Sequence, residues 1–159
     1  MKVYHGSQEI VREPEIRQSN RTLDYGSGFY TTTSEKQAED WVRRRVQKGG
    51  IGYVNVYELD EELKSAMNIL SFDKPTEEWV DFVMKNRTQR GFTHNYDLVY
   101  GPVANDRVYA AFALYEGGVI SKQSLIGELK TYKLVDQFLF HTPWSLRMLS
   151  FVEAKEVRV

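Results

Sequence analysis

Phe29-Tyr30-Thr31-Thr32-Thr33-Ser34-Glu35-Lys36-Gln37-Ala38-Glu39-Asp40-Trp41 is the stretch that decides how this chain folds. It changes period in the middle. Phe29–Thr33 is a run of aromatic and β-branched residues, which suit a pleated, half-buried strand. Ser34 with Gln37 matches a capping box, in which each side chain satisfies an orphan N–H at a helix start. Ala38, Trp41, Val42 and Arg45 then follow at helical spacing, and Gly49-Gly50 is expected to close the helix. A strand turning into a capped helix can bring Tyr30 and Trp41, eleven positions apart, to one cleft. Two such rings suit a flat cation, which gains roughly 0.5–2 kcal/mol against aromatic faces. The same spacing also fits two ordinary core aromatics.

Upstream, Lys2–His5 reads as a first strand ended by Gly6. Gln8–Leu23 is polar, contains Pro14 and reads mostly as loop. Gly26-Ser27-Gly28 punctuates before the second strand. Downstream, Tyr53–Leu59 alternates as a strand, and a short helix is expected near Glu61–Met67. Thr76–Lys85 reads as an amphipathic helix burying Trp79, Phe82 and Val83. Tyr96–Tyr100 is a short apolar strand ended by Gly101-Pro102. Arg107–Tyr115 reads as helix stopped by Gly117-Gly118, and Ser121 caps another through Leu129. Leu134–His141 is a strand, Pro143–Leu149 a helical turn with proline at its start, and Phe151–Val159 a last strand. The order lacks a regular βαβ rhythm, which predicts an α+β fold in a single domain over 1–159. Neither a Gly-x-Gly-x-x-Gly turn nor a P-loop is present.

Composition narrows the classes. With 159 residues the chain can bury a real core, and 42% hydrophobic with 27% charged residues is ordinary for a globular protein. The net charge of −1 gives no global attraction to nucleic acid or anionic membrane. Arg43-Arg44-Arg45 is a local basic patch that also fits a charged helix face. The chain has no cysteine, which excludes disulfides, thiolate metal sites and cysteine nucleophiles. Met1–His5 lacks a signal-peptide character, and no apolar run reaches the ~20 residues of a membrane span. The expectation is a cytoplasmic protein with no membrane partner. Three separated histidines without ligand spacing predict no metal site.

His5-Gly6-Ser7 sits at a strand end, where a histidine can bond a ribose hydroxyl and a bare glycine lets a ligand approach the backbone. A structural histidine fits there too. His5-Gly6-Ser7, then Gly26-Ser27-Gly28-Phe29-Tyr30, then Trp41, together resemble the diphtheria-toxin and poly(ADP-ribose)-polymerase branch of the ADP-ribosyltransferases. That branch carries a His-Tyr-Glu triad on three strands, and a second aromatic eleven residues after the tyrosine. The resemblance implies a split β-sheet core flanked by helices, with NAD+ as substrate in the cleft. It assigns His5 and Tyr30 to the first two motifs and Trp41 to the second stacking position. The third motif falls on Val135-Asp136-Gln137-Phe138-Leu139-Phe140-His141-Thr142, which puts Gln137 where glutamate is usual. Gln137 can bond a ribose but carries no charge for an oxocarbenium ion. Ala38 likewise stands where the branch often has serine.

More closely, the chain is similar to a small bacterial family of domains of unknown function, family 3990. The shared pieces are Val3–Ser7, Tyr25–Thr32, Gly101–Asp106 and Gln137–Thr142. Its members look like toxins of toxin–antitoxin pairs, which implies a small antitoxin partner. The resemblance gives His5, Tyr30, Gln137 and Asp106 catalytic roles, with Asp106 supplying the charge that Gln137 lacks. It gives NAD+ contacts to His5, Gly6, Ser7, Gly28, Tyr30, Thr31, Trp41 and Asn105. Asn105 and Asp106 also fit a turn that caps the following helix. The expected activity is transfer of ADP-ribose to an unknown macromolecular acceptor. A non-catalytic NAD+- or nucleotide-binding module, or an RNA-acting toxin, are the alternatives.

Overall fold

The change from strand to helix falls where Ser34 places it. In the computed structural model, which describes residues 1–17, 25–102, 106–131 and 134–159, Phe29–Thr32 forms β2 and Glu35–Arg45 forms α1. The Ser34 hydroxyl accepts from the Gln37 N–H at 3.2 Å, a cap worth about 1 kcal/mol. Gln37 turns its own side chain to Thr32, whose hydroxyl donates to its Oε1 at 3.4 Å. The helix ends sooner than the glycines imply. Val46 is already extended, with ψ 137°, and its N–H bonds Val42 O. Gly49, with φ 87°, serves the turn into the next strand instead.

The other strands are β1 (Lys2–Ser7), β3 (Ile51–Leu59), β4 (Ile69–Ser71), β5 (Leu98–Pro102), β6 (Asp136–Phe140) and β7 (Leu149–Arg158). They form one sheet in the order β4-β5-β6-β2-β1-β3-β7, antiparallel except between β4 and β5. The helices are α2 (Glu77–Thr88), α3 (Asp106–Glu116), α4 (Lys122–Leu129) and α5 (Pro143–Leu146), with a 3-10 turn over Glu61–Ala66. This is the α+β class that the mixed element order predicts. Several strand boundaries differ from the sequence reading: β3 starts at Ile51, β7 runs from Leu149 to Arg158, and β5 takes in the Gly101-Pro102 pair expected to end it. Gly6 does not end β1, which runs on to Ser7 against β3. β6 starts at Asp136, where pairing with β5 and β2 begins.

Strand alternation sorts the side chains onto two faces. One face gathers Val3, Phe29, Tyr57, Leu98, Phe138 and Phe140. The other is covered by α2, α3 and α4, with Trp79, Val83, Phe112, Leu125, Leu129 and Leu139 fully buried. Farther along that second face, α1 sets Ala38 and Val42 on Val54 and Val157. Phe82, expected in the core, is only partly buried and packs against its edge.

Candidate functional site: a gap in the sheet

β1 and β2 are neighbours, yet they share one rung, Tyr4 opposite Thr32. β1 pairs with β3 from Lys2 to Ser7. Antiparallel alternation then fixes where the remaining backbone groups point. Leu59 N donates to Met1 O at 2.8 Å, so Met1 and Leu59 form a hydrogen-bonded pair. By alternation Val3, His5 and Ser7 aim their backbone groups at β3, while Tyr4 and Gly6 aim theirs at β2. On the other bank, Thr33 N donates to Asp136 O at 3.2 Å. Phe29 and Thr31 therefore face β6, and Tyr30 and Thr32 face β1. Past the Tyr4/Thr32 rung no further bridge joins the two strands, and by the same alternation the N–H and C=O of Gly6 face the gap between them.

His5 crosses that gap. Its Nδ1–H donates to Tyr30 O at 2.7 Å, and its ring lies against Phe29 with centroids 4.3 Å apart. The bond assigns the proton of the neutral ring to Nδ1 and leaves a lone pair on Nε2. Burial holds the His5 pKa below its usual value. The Tyr30 carbonyl opposes that shift, and the Arg17 charge adds to it. Asn55, opposite His5 on β3 and fully buried, steadies the strand from behind. Its amide donates to Glu9 O at 3.2 Å and accepts from Val11 N at 2.8 Å.

Gly6 is where α1 touches the sheet. A Cβ there would lie 2.4 Å from Ala38 O and 3.2 Å from both Trp41 Cε3 and Val42 Cγ2. The glycine is needed for helix–strand approach, and only its backbone edge remains for a ligand. Trp41 thus borders Gly6 while staying 38% exposed. The Arg45 guanidinium lies 5.8 Å from its ring, so this face already attracts a cation.

The side chains of Tyr30, Thr32 and Gln137 share the face covered by α2–α4, with Gln137 directly across from Thr32. His5 and Thr31 lie on the opposite face. Of the expected His-Tyr-Gln set, His5 reaches only the backbone carbonyl of Tyr30 from the other face, and Gln137 lies across β2, opposite Thr32. The Tyr30 hydroxyl is committed locally: it donates to Gly26 O at 2.6 Å and accepts from Tyr25 N at 3.2 Å. Gln137 is 7% exposed, and its Nε2 has no hydrogen-bond partner among the described residues. The Thr31 hydroxyl is in the same condition. A buried orphan donor costs about 1–3 kcal/mol, so each marks a place where a ligand oxygen would be welcome.

The remaining expected residues scatter. The Ser7 hydroxyl accepts from Glu9 N at 3.2 Å and shapes the turn after β1. Gly28 lets the chain approach β6: a Cβ there would lie 2.5 Å from Phe140 O. Asn105 lies outside the described residues, as does the side chain of Asp106, which opens α3. Asp136 points away from Gln137, and desolvation together with the nearby Asp73 charge raises its pKa.

Sequence reasoning missed Tyr25, Asn55 and His94. Tyr25 is fully buried; its hydroxyl accepts from Trp79 Nε1 at 2.8 Å and donates to Pro102 O at 2.7 Å. No local pattern announces such a bond, because its partners are 54 and 77 residues away. His141, expected as the last residue of its strand, lies just after β6 and bonds Ser27 O through Nδ1 at 2.7 Å.

A charged groove between α1 and β7 lies away from the gap, and its cations are paired, Lys155 with Glu35 and Arg43 with Glu39, both at 2.6 Å. Among the described residues no cluster of three His, Cys, Asp or Glu gathers to hold a metal, and no helix is long and apolar enough to cross a membrane.

Fold and site define an α+β protein whose single sheet narrows to one rung between β1 and β2, with His5 bridging beyond it. The chain belongs to the family described as a protein of unknown function, DUF3990, whose family model matches residues 1–151. No curated protein and no solved structure matches it.

Proposed function

We propose that the protein binds NAD+ in the gap between β1 and β2 and transfers its ADP-ribose to a macromolecular acceptor. The observation that carries this reading is the Gly6 backbone edge facing the gap beyond the last β1/β2 rung. A carboxamide needs one donor and one acceptor, and the N–H and C=O of Gly6 offer both. Trp41 beside Gly6 and Tyr30 across the gap supply aromatic faces for the nicotinamide ring. His5 Nε2, left as an acceptor, accepts a hydrogen bond from a ribose hydroxyl, and Gln137 Nε2 donates one to a ribose oxygen.

In this reading the glycosidic C–N bond breaks with its electrons going to the nicotinamide nitrogen. The leaving group is neutral, because the ring was cationic to begin with. Positioning supplies most of the catalysis, and the acceptor nucleophile closes on the anomeric carbon and releases its proton. On the sequence resemblance alone, this reading extends to a toxin acting in the cytoplasm, with a small antitoxin as partner.

The test is proton NMR of NAD+ with the purified protein, with and without cell lysate, following free nicotinamide. Release that disappears in Trp41→Ala and falls in Gln137→Ala, with binding kept in the latter, is the expected result. NAD+ signals that neither broaden nor decay refute the reading.

One observation favours a second reading, a non-catalytic NAD+-binding module. The third-motif residue is uncharged and buried, and its acidic neighbour Asp136 faces the other way. Broadening of the NAD+ signals without nicotinamide release, in the presence of lysate, selects it.

A further inference from the structure

All three histidines of the chain bond carbonyls between residues 25 and 30. His5 holds Tyr30 from the β1 side. His94, in the loop between α2 and β5, donates from Nε2 to Tyr25 O at 2.7 Å. His141, just after β6, donates from Nδ1 to Ser27 O at 2.7 Å. Their rings lie against one another, with centroids 4.3 Å apart. The carbonyl between these two anchors, Gly26 O, receives the Tyr30 hydroxyl at 2.6 Å, and Tyr25 N donates back to that hydroxyl. Gly26 has φ 93°, and a Cβ there would press on Asn86 Oδ1 at 3.0 Å, so the turn fits closely against its supports.

We propose that His94 and His141 are positioning residues: they clamp the turn of residues 25–28 to the β5–β6 half of the sheet and so fix the Tyr30 ring at the gap. This rests on the reading of the gap as the NAD+ site. Each histidine acts through a backbone carbonyl, and the turn passes the constraint to Tyr30. The two donors differ in reach, which makes them separable. A glutamine amide can stand in for Nε2 of His94, and an asparagine amide for Nδ1 of His141. Phenylalanine keeps a ring at either place but offers no donor.

Four variants test the clamp: His94→Phe, His94→Gln, His141→Phe and His141→Asn. NAD+ affinity is read by NMR titration, and amide hydrogen exchange is read across residues 25–30 and across β3 and β7. The phenylalanine variants are expected to weaken NAD+ binding about tenfold or more and to speed exchange at 25–30, with β3 and β7 unchanged. The amide variants are expected to recover affinity to within about threefold. Phenylalanine variants that bind as wild type, or amide variants that lose as much as they do, overturn the proposal. So does exchange that rises equally in β3 and β7. Should His94→Phe fail to fold, the partly exposed His141 pair decides the matter alone. If the wild-type protein does not bind NAD+, the functional reading falls by itself, and the exchange pattern still decides the clamp.

Discussion

His5 Nδ1 stands 2.7 Å from the carbonyl oxygen of Tyr30, beyond the single β1/β2 rung at Tyr4 and Thr32. A side chain thus bridges two strands where a backbone bond would otherwise continue the ladder. The sheet stays joined, yet the Gly6 edge is left facing the gap.

Burial of the bridging histidine makes stability depend on pH. Burial lowers the folded pKa of both His5 and His94 from 6.5; at His94 the neighbouring His141 adds to the shift, while the bond to Tyr25 O opposes it. Between 6.5 and the lower folded values the unfolded chain binds more protons than the native one. Stability therefore rises with pH through this window and is lost as pH falls below 6.5. Urea midpoints should be level above about pH 7.5 and decline on acidification. A midpoint that climbs between about pH 6.5 and 5.5 contradicts this.

Gly6→Ala should cost about 1–3 kcal/mol, since the new methyl meets the Ala38 carbonyl and α1 must lift. Gly127→Ala in α4 makes the opposite case. Nothing lies within 4 Å of a Cβ there, and relief of a helical glycine should stabilise by up to about 1 kcal/mol. Denaturant titrations of both read the contrast directly, and equal effects would defeat it.

Tyr25→Phe removes one oxygen and leaves two buried groups without it, the Trp79 N–H and the Pro102 carbonyl. The expected loss is about 2–4 kcal/mol, taking each orphan at the lower half of its usual cost. Chemical denaturation measures it. A loss under about 0.5 kcal/mol would mean that the pair finds other partners.

Gln137→Glu puts a carboxyl at a buried position where Asp136 is already shifted upward by burial and Asp73. The new group should titrate well above the usual carboxylate range. The variant should be less stable at about pH 8 than at pH 5, relative to wild type. On the proposed function it should also release nicotinamide faster, about tenfold or more, but only above the raised pH at which the new group ionises, because the carboxylate and not the acid stabilises an oxocarbenium ion. Measured rates that stay level while NAD+ still binds would argue for the binding module.

Much of the fold could be read locally. Ser34, Thr76 and Ser121 each start the helix assigned to them, because an N-cap is a contact between residues three apart. Phe29–Thr32 is a strand because its composition suits no other state. Ile69–Ser71 escaped notice, being three residues that become a strand only through β5. Val46 likewise ended α1 ahead of the glycines, a choice made where the chain turns toward β3.

The α+β class and the helix starts were legible in the sequence, and so was the nearness of Trp41 to Gly6, which α1 brings against β1. The existence of the gap was decided only by tertiary structure. It depends on β1 taking its register from β3 and β2 taking its register from β6, so that the two meet at one rung. The same holds for the histidines. Their short-range neighbours say nothing of carbonyls 25, 69 and 114 residues away. Caps and strand composition are settled by contacts within one turn or one pleat. Ladder register and buried side-chain bonds arise only when distant segments share one core, and that geometry is written nowhere in a local stretch of chain.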